Sequence, residues 1–335
     1  MKGVKGPYAL ISYNSKDKKI WFGRDPLGRK KTEKESRVAV LFSGGLDCTT
    51  LALLAHSHIP PSESIDLLNV AFENTQSISN NNQTKRIQKD SEKSSADNHD
   101  SNTTFDVPDC QTGESSWREL SKLTPGRDWR FVRVDHKEKI IELMRPNLTV
   151  MDLLTAALYF AARGIGNSHL YERVGSLVVF ILTSLSPPMI YRTPARVLIS
   201  GLGADELLGG YSRHCLAFLT TSLSSNNWER LLDELAMDLE RISTRNLGRD
   251  DRMMSWFGLE VRHPLLNRRV IDLLSGLPVH LKPDHGLGKG LSDNLLLRGL
   301  AHGLRLVESC RLPKQAIQFG AQSAKLDGNS KGQAG

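Results

Sequence analysis

The sequence predicts an α/β fold: a parallel sheet that passes into a helical C-terminal half, with a β-hairpin in front. Three observations predict it. A continuous apolar run, 38–42, and a second stretch that reads as a buried strand, 65–72, flank a helical stretch from Asp47 to His56. Strand, helix, strand at that spacing requires a crossover, and hence parallel pairing. The runs do not alternate, which suits strands covered on both faces. From Trp228 onward apolar residues recur at helical spacing, as in Leu231, Leu235 and Leu239.

In chain order, residues 8–23 read as the hairpin, two short strand-like runs around the polar turn Asn14-Ser15-Lys16-Asp17. A lone hairpin is barely stable, so this one needs something to pack on. Pro60-Pro61 closes the first helix after the 38–42 strand. Residues 74–116, rich in Asn, Ser, Asp, Lys and Gln, are expected to form a disordered insertion. A strand at 129–134, a helix at 152–163 and a strand at 196–200 follow, the last running into Gly201-Leu-Gly203. The apolar run 177–182 reads as a core strand or as a remnant that interrupts the pattern. Residues 326–335 read as a disordered tail.

Composition narrows the class. The 335 residues are 39% hydrophobic and 24% charged, as in a soluble globular chain. The net charge of +7 is compatible with anionic partners without requiring them. The basic runs are mixed with acids and lack interleaved aromatics, so nucleic acid is not expected. Cys48, Cys110, Cys215 and Cys310 are scattered, which supports neither a zinc site nor a disulfide framework. The histidines show no metal-ligand spacing, and His214 reads as a packed side chain. The longest apolar run, 177–185, is well short of the roughly 20 residues a membrane span requires. With no signal-peptide core at the start, a cytoplasmic protein without membrane partners is expected.

The chemistry concentrates in two motifs. In Ser43-Gly44-Gly45-Leu46-Asp47-Cys48 an apolar strand ends and a helix begins at once. A helix N-terminus offers unpaired N–H groups and partial positive charge to an anion. Two glycines let backbone approach that anion. Ser43 adds a hydroxyl donor, and Asp47 places a carboxylate where Mg²⁺ bridging phosphates would sit. The second motif, Ser200 to His214, repeats the pattern of a strand end, glycines and an acidic helix start, with Asp205 as its carboxylate.

The first motif resembles the phosphate loop of the ATP-pyrophosphatase family. The second resembles the Ser-Gly-Glu-Gly-Ser-Asp-Glu segment of the asparagine synthetases. Gly258 to Asn267 and Leu312 to Gly320 are similar to further segments of that family. Gly6 to Arg29 is similar to a late hairpin of its glutaminase domain. The resemblance implies a sheet of the adenine-nucleotide α-hydrolase type, with residues 1–31 as a glutaminase remnant and 36–325 as the synthetase-like domain. It implies ATP and Mg²⁺ as cofactors. Leu41, Ser43, Gly44, Gly45, Leu46, Asp47, Cys48, Val70, Ser200, Gly201 and Gly203 would bind ATP and pyrophosphate, and Asp47 and Asp205 would hold the metal. Glu260 and Lys289 are the catalytic candidates. The implied substrates are an aspartate-like carboxylate and ammonia, joined through adenylation.

Departures from the family pattern define the alternatives. Cys48 replaces a Ser of the phosphate loop, and a thiol is the poorer donor. Leu202 stands where the family has Glu, Asn267 where it has Asp, and Asn294 where it has Lys. No N-terminal cysteine nucleophile follows Met1, so glutaminase activity is not expected of this chain. The first alternative is an ATP-binding pseudoenzyme or assembly partner that meets another protein. The second is a tRNA-modifying member of the same superfamily, which the Gly201-Leu-Gly-Ala-Asp-Glu segment disfavours.

Overall fold

The computed structural model describes residues 9–14, 19–24, 36–72, 107–136, 153–169, 172–174, 177–179, 190–219, 227–287 and 292–314. The chain divides into two units, Met1–Glu35 and Ser36–Gly335. The first contains the expected hairpin: β1 (Ala9–Asn14) and β2 (Lys19–Arg24) pair antiparallel, with Ala9 opposite Arg24 and Asn14 opposite Lys19.

The second unit is built on a seven-stranded sheet. Its first strand is β3 (Val38–Leu41), followed by α1 (Leu46–His58) and β4 (Ile65–Phe72). Then come α2 (Pro108–Leu123), β5 (Trp129–His136), α3 (Leu153–Arg163) and β6 (Ile165–His169). A separate antiparallel pair, β7 (Glu172–Val174) and β8 (Leu177–Val179), precedes β9 (Ile190–Arg192) and β10 (Val197–Ile199). The helical half holds α4 (Ala204–Leu208), α5 (Ser212–Leu219), α6 (Asn227–Ile242), α7 (Gly248–Ser255), α8 (Arg268–Gly276) and α9 (Leu295–Gly303). One short strand, β11 (Glu260–Arg262), sits among them.

The strand order is β11-β10-β3-β4-β5-β6-β9. The first five are parallel, whereas β6 runs antiparallel to both β5 and β9. From β3 the chain winds through β4 to β5, then returns to β10 on the other side of β3. The order therefore reverses between β3 and β10, and open α/β sheets bind ligands at such a switch point.

Both faces of the sheet are covered, as the continuous apolar runs require. All eight residues of β4 are buried. Leu68, Val70 and Phe72 face one core layer with Phe160 and Ala161 of α3 and Met254 of α7. Leu67 faces the other, with Phe42, Trp117, Leu120 and Phe131. Trp117 stacks on Phe131 with centroids 5.3 Å apart.

Two expectations need correction. The disordered insertion assigned to 74–116 extends too far, because Pro108–Leu123 is a helix with Pro at its start. Its polar composition hid a buried face: Cys110, Trp117 and Leu120 are buried, and Ser116 and Glu119 are buried beside them. Residues 74–106 lie outside the described residues. Within the run 177–182, Leu177–Val179 lies outside the main sheet and pairs with Glu172–Val174 in a two-stranded sheet. Residues 180–182, and the tail at 326–335, lie outside the described residues.

Candidate functional site

Phe42 extends the β3–β4 ladder by donating to Leu68 O at 2.8 Å, and the Ser43–Gly45 turn then redirects the chain into α1. Gly44 has φ +82°, a conformation glycine adopts without cost. Space requires glycine as well, since a Cβ would overlap the α2 backbone at Thr112 and Gly113. Side chains of α2 and α1 occupy the turn's carbonyls. Ser116 Oγ donates to Gly44 O at 2.6 Å, Thr49 Oγ1 to the same oxygen at 3.2 Å, and Thr112 Oγ1 to Ser43 O at 2.9 Å. No side chain caps α1 at Gly45. The first amides of α1 thus keep their donors and the positive end of the helix dipole. Cys48 Sγ donates to Gly45 O at 3.3 Å, and burial pushes its thiol up, so it is a neutral packed group.

The second motif meets the first at the switch point. Ser200 N donates to Arg262 O at 2.9 Å, and Ser200 Oγ accepts from Leu202 N at 3.3 Å. A Cβ on Gly201 would stand 3.2 Å from Asp47 Cβ, so this glycine allows the two loops to touch. Buried Glu206 holds the loop together, accepting from Gly203 N at 3.1 Å, Tyr211 Oη at 2.7 Å and Asn246 Nδ2 at 3.1 Å.

Asp47 and Asp205 converge on one cation. Lys314 Nζ donates to Asp47 Oδ2 at 2.8 Å and lies 2.7 Å from Asp205 Oδ2. Burial opposes charge on Lys314, but Asp205 and Asp47 outweigh it and hold the ammonium above lysine's ordinary range. Burial raises the carboxyl of Asp47 and the like charge of Asp205 adds to this, with Lys314 working the other way. Asn294 Nδ2 donates to Asp205 Oδ1 at 2.9 Å. Gly210 makes room for that bond, as a Cβ there would overlap Asp205 Oδ1 and stand 2.6 Å from Asn294 Nδ2. Near the start of α2, burial pushes the Asp109 carboxyl up to about 7, against the pull of Lys314.

The donor set suits Mg²⁺ delivered with phosphates. Asp47 Oδ1 is buried and meets no hydrogen-bond partner among the described residues. Among the described residues no group of three or more His, Cys, Asp or Glu gathers as a metal cage. Mg²⁺ characteristically takes one or two protein carboxylates and completes its shell with phosphate oxygens and water.

Most of the residues singled out in the sequence come together here. Leu41 and Val70 lie buried at or near the carboxyl ends of β3 and β4, and Leu46 and Cys48 in the first turn of α1. Glu260 does not join them. It opens β11, opposite Val197, with an exposed side chain paired to Arg262 at 2.6 Å, so the catalytic role assigned to it is withdrawn. Its motif resembled the family's, but strand alternation turns this side chain to solvent. Lys289 lies outside the described residues. Lys314 was missed, although it sits in the segment Leu312 to Gly320 that carried part of the resemblance. A lone lysine far along the chain has no periodic signal to mark it.

The departures also find their places. Asn267 caps α8, accepting from Arg269 N at 3.0 Å, a duty Asp and Asn perform about equally. His214 is fully buried with Nε2 2.9 Å from Asp238 Oδ2, a packed histidine as expected. No helix among the described residues is long and apolar enough to cross a membrane.

Residues 218–300 match the family model described as asparagine synthase. The chain is 38% identical over 318 residues to asparagine synthetase domain-containing protein 1 of Mus musculus, a match covering 89% of this chain and 47% of that protein. Over most of its length the chain is similar to asparagine synthetase domain-containing proteins. A member from Saccharomyces cerevisiae is 33% identical over 319 residues, 89% of this chain and 50% of its own. A putative glutamine-hydrolyzing asparagine synthetase of Methanocaldococcus jannaschii is 36% identical over 87 residues, 26% of this chain and 15% of that one. The chain spans about half the length of these asparagine synthetase domain-containing relatives.

Proposed function

We propose that this chain is an ATP-dependent amidoligase of the asparagine-synthetase type. One observation carries the reading: Asp47 and Asp205, delivered by strands on either side of the switch point, converge with Lys314 at 2.8 and 2.7 Å. The nucleotide's phosphates would lie on the uncapped start of α1, with Ser43, Gly44, Gly45 and Ser200, Gly201, Gly203 around them. Asp47 and Asp205 would hold Mg²⁺, which supplies charge neutralisation for the phosphate oxygens when bound. Lys314, once released from the carboxylates, offers a second cation to the departing pyrophosphate. In the reaction the side-chain carboxylate of aspartate is adenylated and pyrophosphate leaves. Ammonia then displaces AMP to give the amide.

A second reading, nucleotide binding without turnover and a role as an assembly partner, draws on Leu202 and Asn294, which replace a family acid and a family cation. Lys314 weighs against it, because the site keeps one positive charge beside its acids. Pyrophosphate release with Mg²⁺-ATP, ammonia and aspartate separates the two. Release that depends on aspartate supports the ligase; ATP binding without release supports the partner.

A further inference from the structure

The segment that delivers Lys314 is held by two buried charges of opposite sign, neither of which lies in the nucleotide turns. On α2, Glu119 accepts from Glu308 N at 2.7 Å, Ser309 N at 3.0 Å and Ser309 Oγ at 2.5 Å. The same helix supplies Ser116, which holds the Gly44 carbonyl. On α9, Arg298 Nη1 donates to Cys310 O at 2.8 Å and Leu312 O at 2.9 Å. Its other edge grips Asp293, with Nε donating to Asp293 O at 2.8 Å and Nη2 to Asp293 Oδ2 at 2.6 Å.

Four of the five guanidinium donors are therefore used, and they reach two places at once. One is two residues before Lys314; the other is one residue before Asn294. Lys314 and Asn294 both hold the carboxylate of Asp205. A buried guanidinium is costly without such partners, and a fork spanning two backbone segments cannot be copied by a lysine.

We propose that Arg298, seconded by Glu119, is the positioning residue of this site: it sets Lys314 and Asn294 on Asp205 from two separate segments. The catalytic consequence rests on the nucleotide reading above, whereas the fixing of Lys314 does not. Acylation of Lys314 reads that placement directly, because an amine clasped between two carboxylates is shielded from the reagent.

The test compares acetic anhydride labelling of Lys314 by mass spectrometry, without nucleotide, in the wild-type chain and in Arg298→Lys and Glu119→Gln. Lys282, buried elsewhere in the helical half, is the internal control. The expected result is Lys314 labelling at least about tenfold faster in Arg298→Lys, as the hold on its segment loosens, with Lys282 unchanged. Unchanged Lys314 labelling in a folded variant overturns the proposal. So does equal acceleration of both lysines, which would make Arg298 a general staple of the fold. If Arg298→Lys does not fold, Glu119→Gln carries the same comparison. With Mg²⁺-ATP added, kcat should fall at least about tenfold while KM for ATP stays nearly constant. If no nucleotide binds at all, the function reading fails and the labelling result still decides the positioning role.

Discussion

Replacing Lys314 with Met keeps most of the side-chain volume and removes the charge between Asp47 and Asp205. Each attraction is worth about 4 kcal/mol at 4 Å and an effective dielectric of about 20, and about 1 kcal/mol in bulk water. The three side chains keep 26%, 17% and 11% of their exposure, so the site lies between those limits. Without Lys314 the desolvated carboxylates face each other. Breaking a fully buried pair costs about 3–5 kcal/mol, so the partial screening here points to about 2–4 kcal/mol at pH 7. The pH dependence has a definite sign. Lys314 titrates above lysine's ordinary range, so its contribution is complete and constant from pH 5 to 8. The carboxylates carry the change: Asp47 is already raised, and without the cation it rises further. Protonating one acid relieves the repulsion, so the gap between wild type and variant should narrow as pH falls from 7 to 5. Urea denaturation of both proteins at pH 5, 6, 7 and 8 measures it. A gap under about 0.5 kcal/mol at pH 7, or one that does not vary with pH, would refute the ion-triad account.

Three further outcomes follow from the same geometry. The Asp109 carboxyl, pushed up to about 7, keeps a proton that the unfolded chain loses near pH 4, so stability should decline across that window by up to about 1.4 kcal/mol per pH unit. Asp109→Asn should flatten the decline, and an unchanged slope in urea titrations would contradict the assignment. Gly210→Ala drives a methyl into the Asp205–Asn294 bond and should cost about 1–3 kcal/mol of stability; a loss under about 0.5 kcal/mol in urea denaturation would show that the bond is dispensable. Glu260→Gln removes only an exposed pair, so stability should shift by less than about 1 kcal/mol and pyrophosphate release should stay the same. A tenfold fall in release would return Glu260 to the site.

The parts of this protein legible in the sequence are those set by local periodicity. Mostly apolar runs gave β3 and β4, the aromatic and valine-rich stretch 129–134 gave β5, and glycine-rich strand ends gave both turns and both acids. What escaped depends on tertiary context. Strands β6, β9 and β11 are three to five residues long, too short to show a period. Helix α2 begins within a stretch whose polar composition outweighs the few apolar residues on its buried stripe. Lys314 reaches Asp47 across 267 residues of sequence, held by Arg298 and Glu119 through backbone contacts that leave no side-chain pattern. Glu260 shows the converse, where a matching motif placed the residue correctly in the chain but not in the site.

The central claim is that Asp47, Asp205 and Lys314 form a Mg²⁺-nucleotide site at the switch point. Calorimetric titration of Mg²⁺-ATP into the wild-type chain and Asp47→Ala tests it most directly. Saturable binding that weakens at least about tenfold in the variant, about 1.4 kcal/mol, is the result this geometry predicts. Equal affinity in the two proteins, or no binding to either, would contradict it.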